Sequence, residues 1–315
     1  MDINFPWGHE RRWNDYSNYI KQKFGQRVQK IAINAGFSCP NRDGTIGIGG
    51  CSYCDNTSFN PFYCTTEKSI TQQINEGIAF FEKKYDSKKY IAYFQAYTNT
   101  FSNFNSLVAL YSEALSHPKI SGLIIGTRPD CISHELLEYL TKLSKQTYLM
   151  IEFGVETFNN HTLKIINRGH SAEMSINAIQ TAAMQEISTC AHIILGLPDE
   201  KHADFVSTCK TISHLPLTSI KLHHLQILKG TTISSLFEKE SWRFEYFSVD
   251  RYINLVIDFL ELSDPRLVFE RFISEAPKEQ IISPNWQGLK NFEFVAKVEK
   301  RLIERNTWQG KYFEQ

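Results

Sequence analysis

Three thiols crowd into one short run, CPNRDGTIGIGGCSYC, spanning Cys39–Cys54. Cys51 and Cys54 have the C-x2-C spacing that lets two thiolates reach one metal centre from a tight turn. Cys39 lies upstream of them, across a stretch holding Gly44, Gly47, Gly49 and Gly50, which take backbone angles other residues resist. Such a loop can fold back so that its N–H groups point at cluster sulfurs or an anion. Three kinds of site suit these residues: buried free cysteines, a zinc site completed by Cys64, or a 4Fe-4S cluster on three thiolates with one iron open to a non-protein ligand.

Other polar residues follow apolar runs that stop sharply: Thr127-Arg128-Pro129-Asp130, Gly154-Val155-Glu156 and Gly196-Leu197-Pro198. Their frame is an alternation of β-rich runs and helical periodicity, the pattern of βα units on a parallel sheet. Strands are expected at 28–35, 89–96, 122–127, 147–154, 190–197 and 219–228, and helices near 68–85, 104–116, 133–145, 171–187 and 201–214. The run 266–273 reads as a seventh strand or as the start of a cap, and 249–263 and 289–306 read as helices. In parallel α/β barrels the loops after the strands form the active face, so the cysteine loop, which follows the first strand, opens there too. Period two sends His223 and His224 to opposite faces of their strand and puts Lys221 with His223, so an inward Lys221 and His223 would meet substrate. The division expected is a basic extension at 1–27, a barrel at 28–230 and a helical cap at 231–315.

At 315 residues and 42% hydrophobic content, the chain can bury one large core. Seven cysteines, an odd number, argue for free thiols or metal ligands over a disulfide framework. No apolar run approaches the length of a membrane span, and the N-terminus lacks the pattern of an export signal, so a soluble cytoplasmic protein is expected. The 34 basic and 34 acidic side chains balance, which excludes a global field for polyanions. Basic side chains are nonetheless concentrated in residues 1–42 and 290–315, as solvated faces or as a polyanion-binding rim.

The loop with Tyr53 just before its last cysteine resembles the cluster loop of the radical S-adenosylmethionine (SAM) superfamily, with a widened first gap. TRPD, GVETFN, NRGH, GLP and LKGT resemble barrel motifs of the branch holding the Elongator catalytic subunit and oxygen-independent coproporphyrinogen oxidase. CPNRDGT, AYFQAYTNT, GTRPDC, NRGH, ILGLP and KLHHLQILKGT together resemble the bacterial YhcC/YtqA-like family across essentially the whole chain. The fold implied is a partial (β/α)6 TIM-like barrel of the radical SAM type with helical N- and C-terminal extensions.

The resemblance implies that Cys39, Cys51 and Cys54 hold a 4Fe-4S cluster whose open iron binds SAM, and that reduction cleaves SAM to a 5′-deoxyadenosyl radical. It places Tyr53 near the adenine, and Glu156, Arg168 and His192 on the ribose and methionine groups. Glu156 and Arg168 have the alternative of a mere ion pair, and His192 that of a core histidine. The common Gly-Gly-Glu after the second strand is replaced by AYTNT, leaving Tyr97, Thr98 and Asn99 as substitutes. Cys131 could be a thiol near substrate. Processing of the 5-carboxymethylaminomethyl group of the tRNA wobble uridine is the implied role, with tRNA as partner and a flavodoxin or ferredoxin as electron donor. The alternatives are radical chemistry on a small metabolite or peptide, and a non-catalytic zinc module using Cys39, Cys51, Cys54 and Cys64.

Overall fold

Local capping chemistry marks where the helices start. Asp15, Ser69, Asn103, Ser133, Asn159, Ser171 and Ser248 each accept a backbone N–H at the head of a helix. The computed structural model describes residues 5–55, 60–85, 88–239 and 243–314. In chain order the elements are α1 (Tyr16–Phe24), β1 (Val28–Ile33), α2 (Ile70–Glu82), β2 (Lys89–Phe94), α3 (Phe104–Ser116), β3 (Ile120–Thr127), α4 (His134–Ser144), β4 (Tyr148–Glu156), α5 (Asn160–Ile165) and α6 (Ala172–Met184). They continue with β5 (Ser188–Leu195), α7 (His202–Ser213), β6 (Ser219–His224), β7 (Ile227–Leu228), α8 (Thr232–Glu238), α9 (Val249–Leu262), β8 (Val268–Arg271), β9 (Ile281–Ser283) and α10 (Asn291–Glu304).

Seven strands pair in parallel in the order β1-β2-β3-β4-β5-β6-β8, each beside its predecessor, as expected of a singly wound partial barrel. The run 266–273 therefore holds a seventh strand, and the segment after residue 230 adds to the sheet as well as packing α9 and α10 against it. The strand expected over 219–228 is in fact two. β6 stops at His224, and β7 leaves to pair antiparallel with β9, because Leu225 and Ile227 are drawn into an apolar cluster with Leu163, Leu197 and Ile233.

The two faces of the sheet bury different cores, as period two requires. Ile31, Phe94, Leu123, Ile151, Ile193 and Leu222 face the helices. Val28, Ile91, Tyr93, Ile124, Tyr148, Met150 and Cys190 face inward, where Ile20 of α1 joins them, flanked by Tyr16, Tyr19 and Phe24. α1 thus stoppers the barrel. It also bridges the open seam between the edge strands: Asp15 forms a parallel bridge with Phe269, whose N–H donates to the Asn14 carbonyl at 2.8 Å. The tail meets the N-terminal segment at the same place, with the Asn14 N–H on Gln309 Oε1 at 2.8 Å and Arg12 Nη1 on the Thr307 carbonyl at 3.1 Å. No helix among the described residues is long and apolar enough to cross a membrane.

Candidate active site

A cavity of about 290 Å³ opens where the strands end. Its wall brings together Cys39, Cys51 and Cys54 with Tyr53, Glu156, Arg168 and His192. These seven come from the loop after β1, the end of β4, the segment after α5 and β5, so only the barrel's curl makes them neighbours.

The cysteine loop is moored to the loop at 166–168. The Ser52 N–H donates to the Ile166 carbonyl at 2.9 Å, Asn41 Nδ2 to the Asn167 carbonyl at 2.6 Å, and Asn167 Nδ2 to the Gly50 carbonyl at 2.8 Å. A Cβ on Gly47 would stand 2.5 Å from Asn41 Oδ1, so any larger residue there would push aside the side chain that moors the loop. None of the three cysteines is in a disulfide. Donors converge on two of them: Arg168 Nη1 lies 3.4 Å from Cys51 Sγ, Asn41 Nδ2 3.6 Å from the same sulfur, and Arg42 Nη1 3.8 Å from Cys54 Sγ. Burial, then the neighbouring Cys51, push the Cys54 thiol up to about 12.

These donors fit sulfurs that carry charge on a metal cluster. Among the described residues, the groups whose ligand atoms all lie within 4.8 Å of one another do not include this trio. Two thiolates bonded to a single zinc at about 2.3 Å each could stand no more than about 4.6 Å apart. Cys64 is no fourth ligand, because it is buried between the sheet and helices with Tyr63, Ile70 and Ile74. The expected four-cysteine zinc set is thereby corrected at Cys64, which does not line the cavity with the other three.

Glu156 and Arg168 pair at 3.3 Å, both with little exposure. Arg168 Nη2 also donates to the Gly154 carbonyl at 2.5 Å, and a Cβ on Gly154 would stand 2.5 Å from that nitrogen. Burial opposes the guanidinium charge, but Tyr53, Cys51 and Glu156 outweigh it and raise Arg168 above its usual range. Glu156 sits at φ +69°, where the register of β4 against β5 shifts, and this turns its carboxylate into the cavity. Arg168 Nε and Ser52 Oγ are buried with no hydrogen-bond partner. Asn99 stands elsewhere. It is fully buried, its Nδ2 donates to the Gly126 carbonyl at 2.8 Å, and Tyr97 and Thr98 take the cavity wall in its place. Cys131 does not line the cavity either; its thiol faces Asp130 Oδ1 at 3.6 Å.

The floor holds a network that the sequence reading missed. Glu152 is 1% exposed and accepts from Lys221 Nζ at 2.6 Å, His192 Nε2 at 2.9 Å and Lys30 Nζ at 3.2 Å. Lys30 also donates to Glu270 at 2.5 Å, and Ser219 Oγ to the same carboxylate at 2.7 Å. Burial pushes Glu152 up, but Lys221 and Lys30 hold its carboxyl well below the usual range. The available signal was a glutamate inside the apolar strand YLMIEFG, in phase with Gly154 and Glu156. Lys221 and His223 do line the cavity together; His224, at the strand's end, also borders it but stacks its ring on Trp286, with centroids 4.1 Å apart.

The Radical SAM superfamily pattern matches residues 38–212, and that of the Radical SAM C-terminal domain matches residues 217–304. Bacillus subtilis (strain 168) YtqA is 34% identical over 98% of this chain and 96% of its own length. A tRNA uridine(34) acetyltransferase of Methanocaldococcus infernus is 26% identical over 38% of this chain and 23% of its own. The fold is similar to the archaeal Methanocaldococcus infernus Elp3, with a TM-score of 0.66 at 17% identity over 90% of this chain and 64% of that one. Fold, thiol loop and these matches agree: the chain belongs to the radical SAM superfamily, within its YtqA- and YhcC-like family, and is an enzyme of the class that uses a 4Fe-4S cluster and SAM.

Proposed function

We propose that this enzyme modifies the wobble uridine of tRNA by acting on its 5-carboxymethylaminomethyl group, with its cluster on Cys39, Cys51 and Cys54. The observation that carries the assignment of the site is the gathering of these thiols with Tyr53, Glu156, Arg168 and His192 in one cavity. When bound, the cluster and SAM supply a one-electron reductive cleavage that yields a hydrogen-abstracting group. The chain's own residues do the rest. Glu156 accepts from ribose hydroxyls, Arg168 clamps a carboxylate while neutralising Cys51, and His192 is held by Glu152 at one nitrogen and faces the cavity. Tyr53 packs against Leu163, Ile166 and Ile194 and presents a ring to a purine. Tyr53 and its apolar neighbours keep water from the reacting atoms.

The partial match to a tRNA uridine(34) acetyltransferase supports the tRNA substrate, and a cavity at the mouth of a barrel suits a base swung out of its stack. Incubating reconstituted enzyme, SAM and reductant with tRNA bearing the modified uridine should change the nucleoside mass; an unchanged nucleoside pool would sink the proposal.

Radical chemistry on a small metabolite or peptide is the second reading. Its support is that several basic side chains of the terminal segments are matched by acids: Arg11 with Asp15 and Glu299, Arg301 with Asp250 and Glu304, Arg305 with Asp258. Salt separates the two, since tRNA binding weakens steeply between low and moderate salt and small-molecule binding does not.

A further inference from the structure

Among the described residues of β1, β4, β6 and β8 that meet at the cavity floor, the charges cancel except for one. Lys30 and Lys221 are shared between Glu152 and Glu270. Arg271, the last residue of β8, also lines the cavity, is exposed there, and has no acidic partner among the described residues. Beside it on β6, His223 Nδ1 meets Ser274 Oγ at 3.0 Å, while His223 Nε2 is buried with no partner. Burial, then His192 and Arg271, pull His223 well below the ordinary histidine range, so its ring is neutral at pH 7. With the serine hydroxyl donating to Nδ1, Nε2 carries the hydrogen and is left for a ligand. These residues belong to β6, β8 and the loop after β8. The thiols and Tyr53 belong to the loop after β1, Glu156 ends β4, Arg168 follows α5, and His192 stands on β5 next to His223, with ring centroids 5.3 Å apart.

We propose that Arg271, His223 and Ser274 form a substrate subsite that receives a carboxylate, distinct from the residues that hold SAM. One guanidinium offers a bidentate fork and a single uncompensated charge, which matches a monoanion; a phosphate monoester would bring a second charge with nothing to meet it. The inference rests on the proposed tRNA reading for the natural source of the group, since a 5-carboxymethylaminomethyl substituent ends in a carboxylate.

The test compares reconstituted wild type, Arg271→Gln and Arg271→Lys in binding N-benzylglycine against N-methylbenzylamine, two probes that differ by the carboxylate. Iron content and SAM affinity are measured on the same samples. Wild type should prefer the acid at least tenfold. Arg271→Gln should bring the two probes within twofold while SAM affinity stays within twofold, and Arg271→Lys should keep part of the preference because it keeps the charge without the fork. An unchanged preference in Arg271→Gln would overturn the proposal. So would a matching loss of SAM affinity, which would give the guanidinium to the cofactor, or inorganic phosphate displacing N-benzylglycine better than acetate does. A parallel assay with tRNA carrying the modified uridine separates the two claims: an Arg271-dependent preference without change to the tRNA leaves the subsite standing and removes the tRNA.

Discussion

Arg168 reaches Cys51 across more than a hundred residues of chain, with Nη1 3.4 Å from the sulfur, while its other terminal nitrogen lies 3.3 Å from Glu156 Oε1. On the proposed assignment, one guanidinium serves a cluster thiol and the carboxylate that meets ribose. Arg168→Met should cost about 3–5 kcal/mol of stability, because Glu156 would be left charged and unpaired in a buried place. Adding Glu156→Gln should recover much of that loss, and chemical denaturation of the single and double variants checks it.

Replacing Cys39, Cys51 or Cys54 by Ala should abolish iron and sulfide incorporation and SAM cleavage. Cys64→Ala should keep both and lose about 1 kcal/mol, since it removes only a small buried group from the helix-facing core. Iron and sulfide content after anaerobic reconstitution distinguishes the two outcomes.

Glu152 anchors two ammonium groups and His192. Glu152→Gln should destabilise by about 3–5 kcal/mol, because Lys221 and Lys30 would share the remaining carboxylate, Glu270. The same change frees His192 Nε2 and should weaken SAM affinity, as read by equilibrium binding.

Burial pushes Glu200 up to about 8 despite a 2.5 Å hydrogen bond from Thr157 Oγ1. The folded state thus holds a proton that the unfolded chain releases near its ordinary carboxyl range. Stability should be highest below that range and fall as pH rises toward 8, by roughly 2 kcal/mol between pH 6 and 8, since one unit of pKa difference is worth about 1.4 kcal/mol. Glu200→Gln should flatten the profile, which urea midpoints measured across that window will show.

Ile20 is the apolar peg of α1 in the barrel's interior. Ile20→Ala should cost about 2–5 kcal/mol, and hydrogen exchange should show the loss shared by β1 and β8, the strands α1 bridges.

Strand and helix order was legible because each βα unit carries its own punctuation: an apolar run, a sharp stop, then a capping serine or asparagine. The thiol loop was legible for the same reason, being contiguous. Short α5 and α8 escaped, as did β9, whose three residues carry no periodic signal, and the break that parts β7 from β6 within the strand expected over 219–228. Asn99 was misplaced within its loop because Tyr97 turns at φ +62°, so alternation could not tell which neighbour faces the cavity. Of the charged floor only an inward Lys221 was read, since Lys30, Glu152, Lys221 and Glu270 meet only when β1, β4, β6 and β8 curl together. Each alone looks like an interruption in an apolar strand.

The mooring of the cysteine loop has a consequence in time. During synthesis the thiols emerge with the first strand, but Ile166, Asn167 and Arg168, which fix their loop, follow more than a hundred residues later. Until then the three cysteines lie on an untethered segment open to stray metals and oxidants. On the proposed ligand assignment, cluster insertion into the growing chain would come too early to be held, so the chain has to fold through Arg168 before it is ready for loading.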